Sequence, residues 1–215
     1  MNSFIRSDQF NFIKNQTVHL INGHSTVNDT GVIQALKSIS EEKVFNKFEG
    51  LTGPQADLVK KVTIIEDQAD AVLVLSQLKH YVIPFPEIPE EKLKKLFPQE
   101  KKFKVPLLRN VDRRELSYLG WNDPAAHRKF IVFLEGSGLK GITGDFIKSL
   151  SKGICSICNE YEKVGMFTTT IKESEHHTVK RGNYICQDSM TCNQKITSLQ
   201  PLHEFLERLE VQGEN

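Results

Sequence analysis

Four cysteines carry the strongest chemical signal in the chain. Cys155-Ser156-Ile157-Cys158 is followed after 27 residues by Cys186, and after five more by Cys192. Every cysteine of the sequence belongs to this set. Two thiolates separated by two residues can point from a tight turn into one tetrahedral site, and a second pair from elsewhere in the fold completes a Zn(Cys)4 centre. Gly153 suits a zinc knuckle at a hairpin tip. The second pair falls where a strand, Asn183-Tyr184-Ile185, runs into a helical region, so knuckle, hairpin and helix come in treble-clef order. A thioredoxin-like redox pair would use Cys155 and Cys158 alone and leave two cysteines unexplained. Two disulfides would take one of three connectivities. Four unrelated buried cysteines would need no partner. The spacing favours one structural Zn2+ on Cys155, Cys158, Cys186 and Cys192. Four thiolates close the coordination shell, so this zinc holds the fold and performs no reaction.

Other chemistry is weaker. His176 and His177 lie between the cysteine pairs, in a segment better read as a solvated hairpin tip. Gly136, Gly138 and Gly141 satisfy G-x-G-x-x-G, yet Gly144 interrupts the segment after them and no βαβ unit is evident, so a hairpin turn is the reading. Asp123 and His127 stand four apart, as an acid–base pair on a helix would, but a cap and a surface histidine explain them equally. No Walker lysine motif, nucleophile elbow or HExxH helix occurs. Lys92, Lys94, Lys95, Lys101, Lys102 and Lys104 interleave with Phe97 and Phe103. That pattern can serve RNA, although Glu90, Glu91 and Glu100 make a solvated helix face the plainer account.

These residues need elements to position them. The chain has 215 residues, room for one large domain or two small ones. With 28 Lys+Arg against 27 Asp+Glu the net charge is +1, which gives no bulk electrostatic case for nucleic acid. No run approaches the 18 apolar residues of a membrane span. Met1 to Asp8 lacks the apolar core of a signal peptide, so a cytoplasmic protein, where disulfides are rare, is expected.

Phe10, Ile13, Thr17, Leu20 and Ile21 recur at helical spacing after Ser7 or Asp8, and Asn22-Gly23 should end that helix. Val32 to Ile39 predicts a second helix, and Val44, Phe45 and Phe48 a third. Thr52 should cap a fourth, with Pro54 near its start. A fifth carries Ala71, Leu75, Leu78 and Val82. Three prolines in Ile83-Pro84-Phe85-Pro86-Glu87-Ile88-Pro89 stop helical structure, giving either a hinge or an extended lead into a second domain. A short basic helix with Leu93, Leu96 and Phe97 inward comes next. Strands are then expected at Phe103–Leu108, Ser117–Trp121, Lys129–Glu135 and Leu139–Phe146, and a last helix carries Leu199, Leu202, Phe205, Leu206 and Leu209. The expectation is an α+β protein. An N-terminal helical bundle spans 1–82, and an α/β domain with a treble-clef-like four-cysteine zinc finger spans 83–215.

Several segments resemble the elongation factor G-binding proteins of the fusidic acid resistance type, the FusB/FusC family. They are Tyr81-Val82-Ile83-Pro84-Phe85, Gly120-Trp121-Asn122 before Arg128-Lys129, Leu139-Lys140-Gly141, Gly153-Ile154-Cys155-Ser156-Ile157-Cys158-Asn159, Tyr184-Ile185-Cys186-Gln187-Asp188-Ser189 and Cys192-Asn193. The resemblance implies a non-enzymatic monomer that binds elongation factor G and releases it from ribosomes stalled by fusidic acid. It would meet the ribosome only through that factor and no membrane at all. The resemblance places the partner-binding surface on the zinc-bearing domain, at Ile154, Arg181 and Tyr184. Where relatives have an aromatic before the first cysteine and a lysine before the Gly-x-Tyr, this chain has Ile154 and Arg181. The alternative is a zinc-finger RNA-binding or ribosome-associated translation factor.

Overall fold

The computed structural model describes residues 1–100, 111–173 and 178–209. The expected strand at Phe103–Leu108, the histidines His176 and His177, and Lys101, Lys102 and Lys104 lie outside the described residues. The chain divides into two compact units, Met1–Ile83 and Pro84–Asn215.

The first unit is helical. Its elements are α1 (Ser7–Thr26), α2 (Thr30–Phe45), α3 (Gly53–Lys60) and α4 (Gln68–Lys79). Helix α1 runs through Asn22-Gly23 instead of stopping there. Gly23 serves close packing: a Cβ at this position would stand 2.8 Å from Leu36 Cδ1 of α2. The two helices expected between Val32 and Phe48 are one, because no breaker separates Ile39 from Glu41, and the face of that helix holding Val32 and Ile39 stays exposed. The caps arise from side-chain chemistry. Asp29 accepts from the backbone of Gly31 and Val32, and Asp67 from Ala69 and Asp70. Thr52 precedes α3, where Gln55 Oε1 accepts the Thr52 N–H at 2.9 Å. Val82 lies beyond α4, in a parallel bridge to Ile5. Ile5, Ile13, Leu20, Val44, Val62 and Leu78 meet in the core.

The second unit opens with the proline segment, which is no free hinge: Phe85 and Ile88 are buried. After α5 (Glu90–Lys95) come β1 (Leu119–Asp123), β2 (Arg128–Glu135), β3 (Gly138–Ile154), β4 (Tyr161–Glu173) and β5 (Thr178–Cys186). They form one antiparallel meander in the order β1-β2-β3-β4-β5. Then α6 (Ser189–Lys195) and α7 (Gln200–Leu209) close the unit. Asp123 and His127 flank the β1–β2 turn and share no helix. Asp123 Oδ1 accepts from Ala125 and Ala126, and His127 takes a left-handed φ of 52°. The Gly136–Gly138 region is a turn, as expected, with Gly136 at φ 56°. Strand β3 outruns its expected end at Phe146 and reaches the cysteines, with a register shift between Lys148 and Lys152.

Alternation sorts the sheet into two faces. On one, Ile131, Phe133, Phe146, Phe167 and Ile185 pack with Leu202, Phe205 and Leu206 of α7. On the other, Leu119, Phe130 and Val132 pack with Phe85, Leu93 and Phe97. There the Trp121 ring stacks on Phe130 at 5.0 Å, and Phe97 meets both rings edge-on. Among the described residues no helix is long and apolar enough to cross a membrane.

Candidate metal centre

Strand β3 ends at Ile154 and the chain turns sharply through Cys155–Cys158. The Cys155 carbonyl accepts the Asn159 N–H at 2.8 Å, Asn159 takes a left-handed φ of 58°, and the Cys155 N–H reaches the Glu160 carbonyl at 3.1 Å. Cys186 closes β5. Cys192 sits in α6, whose start is capped by Asp188 accepting the Thr191 N–H at 2.6 Å. The four sulfurs lie within 4.8 Å of one another and all four residues are buried. Cys155 Sγ is 3.8 Å from Cys192 Sγ, and Cys158 Sγ is 3.7 Å from Cys186 Sγ. A zinc bonded at about 2.3 Å to four sulfurs makes a tetrahedron with edges near ~3.8 Å, so the spacing fits that ion. The N–H groups of Ile157 and Cys186 aim at Cys155 Sγ from 3.4 and 3.3 Å.

Electrostatics agree. Hydrogen bonds from the neighbouring thiols, Cys158 first, pull Cys155 down, while Cys155 pushes Cys186 and Cys192 up. Four thiolates this close cannot all ionise without a cation among them, and a divalent metal removes the conflict. Tyr118 adds an independent sign. Burial, then the adjacent Cys192, hold its phenol well above the ordinary range, so it stays protonated. Among the described residues its buried hydroxyl makes no well-formed hydrogen bond, and nor does that of Ser189. A metal-bound Cys192 thiolate would supply the missing acceptor.

The residue after each cysteine of the second pair is a clamp. The Gln187 N–H donates to the Lys163 carbonyl at 2.9 Å, and its Nε2 donates to the Ser149 and Val164 carbonyls at 2.8 Å each. Its own carbonyl accepts from Asn122 Nδ2 at 2.9 Å and Lys129 Nζ at 3.1 Å. Asn193 is fully buried. Its Oδ1 accepts the N–H groups of Ser117 and Tyr118, at 2.7 and 3.1 Å, and its Nδ2 donates to the Tyr118 and Ser189 carbonyls, at 2.9 Å each. These residues tie the metal ligands to β1–β4. Residue type and spacing assign Gln187 and Asn193 no role. In the sequence they are marked by adjacency to the cysteines and by the family-like segments that contain them.

The three expected partner-binding residues separate. Tyr184 is 44% exposed and Ile154 59%. The Ser156 N–H donates to the Tyr184 carbonyl at 2.9 Å, which sets the knuckle against β5 beside that tyrosine. Ile147, Met166 and Tyr184 are register partners across β3, β4 and β5, a row on one face. Arg181 pairs with Thr169 and alternates to the opposite face, where its Nη1 donates to the Arg208 carbonyl of α7 at 3.2 Å. Ile147 and Leu150 are both strongly exposed, and nothing in the sequence pattern singles them out.

The sulfur cluster, with its strand-to-helix order, defines a treble-clef zinc finger, and residues 95–212 match the FBP C-terminal treble-clef zinc-finger family. Residues 4–86 match the N-terminal domain of elongation factor G-binding protein, and the chain belongs to this family. The solved structure of the fusidic acid resistance protein FusC is similar, with a TM-score of 0.82 and 28% identity over 96% of this chain and 97% of that one. No curated protein matches. One structural zinc is therefore the cofactor.

Proposed function

We propose that this protein binds elongation factor G through its zinc-bearing unit and promotes release of the factor from ribosomes, including those on which fusidic acid holds it. Cys155, Cys158, Cys186 and Cys192 hold the zinc, and Ile154 and Tyr184 form the centre of the contact. Arg181 joins from the far side of β5, which is the edge strand, so a partner lying along that edge meets both faces. The single observation that carries the reading is the match of this chain, nearly end to end, to a family named for elongation factor G binding. The uncovered row of Ile147, Met166 and Tyr184 beside the knuckle supports the placement.

The mechanism is linkage. A protein moves elongation factor G off the ribosome only by binding the releasing conformation better than the trapped one. Each ~1.4 kcal/mol of that preference is worth tenfold. No bond is made or broken, and the chain acts as a monomer in the cytoplasm, where its partner works.

Purified elongation factor G should be retained by the immobilised protein after nuclease treatment, and adding the protein to ribosome pellets trapped with fusidic acid should shift the factor into the supernatant. Tyr184→Ala should weaken capture by ~1–3 kcal/mol with zinc content unchanged. Arg181→Ala tests the second face by the same assay. Capture that disappears with nuclease would favour the RNA-binding alternative. Retention without release from ribosomes would leave a binding protein and refute the release step.

A further inference from the structure

Lys129 lies in the middle of the sheet with no exposed surface at all. Burying an ammonium is costly unless charge and hydrogen bonds compensate. Its Nζ donates to Asn122 Oδ1 at 3.1 Å and to the Gln187 carbonyl at 3.1 Å, and it stands 4.9 Å from the centre of the Phe146 ring. Every one of these partners is neutral. Among the described residues no carboxylate pairs with it. Burial lowers its pKa to about 8, and the nearby Cys192, Asp188, Cys186 and Cys155 oppose that shift. Three of those four are the expected metal ligands, and Gln187 directly follows one of them.

Four thiolates around one Zn2+ leave two negative charges in a buried place. A buried cation and a buried excess of negative charge thus share one corner of the fold, joined by the Gln187 carbonyl. We propose that Lys129 is the built-in counter-cation of the metal centre, a positioning residue that offsets the excess charge of the tetrathiolate. The proposal rests on the zinc assignment above.

Weaker zinc binding by a neutral residue at position 129 would show directly as a smaller gain of stability on loading the metal.

The test compares the full-length protein with Lys129→Met, Lys129→Gln and Lys129→Arg by chelator competition for zinc, by cobalt substitution followed through the thiolate absorption bands, and by melting with and without metal. Stoichiometric zinc must first be found in the unmutated protein. Its absence would overturn the metal assignment itself, separately from any role of Lys129. With zinc present, Met and Gln should each weaken zinc binding about 10- to 100-fold. They should narrow the gap between loaded and metal-free melting temperatures, and Arg should restore much of the affinity. Gln keeps a donor for the two oxygens, so its failure isolates the charge. Unchanged zinc affinity in Met and Gln, or equal losses of stability with and without metal, would overturn the proposal. If the neutral variants do not fold even in excess zinc, folding of the Arg variant supports it, and failure of all three refutes it in favour of a packing requirement.

Discussion

Asn193 shows how much one side chain carries at this centre. Its amide uses both functional groups on buried backbone, holding the start of β1 next to the helix that bears Cys192. Asn193→Ala should strip the N–H groups of Ser117 and Tyr118 and the Tyr118 carbonyl of this partner inside the core. Each buried polar group left unmatched costs ~1–3 kcal/mol, so urea unfolding of the zinc-loaded protein should lose at least about 2 kcal/mol. A loss below about 0.5 kcal/mol would mean that water or a shifted backbone replaces the amide. The Gln187 carbonyl is the counterpart on the other ligand, and its two donors come from β1 and β2.

At the scale of elements, the four cysteines lie in the sheet-bearing unit and none lies in the helical unit. Cys155 and Cys158 lie at the turn joining β3 to β4, Cys186 at the end of β5, and Cys192 in α6, so one ion ties these segments together. Structural zinc contributes ~10–16 kcal/mol in zinc-finger peptides, comparable to the whole stability of a domain. Stripping zinc, or Cys186→Ser, should therefore unfold β1–β5 and α6–α7. The core of α1–α4, built from Ile13, Leu20, Val44 and Leu78, contains no ligand and should persist. Circular dichroism should then retain helical signal while the strand contribution is lost. A single transition that takes the helices along would show the two cores to be coupled.

For the whole molecule, the division at Ile83 and Pro84 leaves each unit with its own core clusters. We propose that the two units fold independently and that elongation factor G is held by the second. Residues 84–215 expressed alone with zinc should fold and bind elongation factor G within a few fold of the full chain. A folded fragment that does not bind would move the site to the helical unit or require both. The near-balanced charge of +1 predicts weak salt dependence of that binding, in contrast to phosphate recognition, which falls steeply with salt.

Local chemistry is readable without coordinates. The zinc centre is legible because metal coordination demands particular residue types at short, countable spacings, and Cys155-x-x-Cys158 states half the site outright. The Gly136 turn and the buried strand at β2 come from side-chain and backbone preferences that act within a few residues. Tertiary structure decides everything that requires two distant segments. Gly23 reads as a stop until Leu36 is seen against it. Arg181 and Tyr184 read as neighbours until strand alternation sends them to opposite faces, one to the end of α7 and the other to the open row with Met166. Lys129 reads as one more charged residue at the head of an apolar run. Its burial against Gln187, 58 positions away, exists only once the sheet has formed. Sequence spacing specifies ligands held by a local turn, whereas the partners of a buried charge are set by which strands pair, a property of the whole chain.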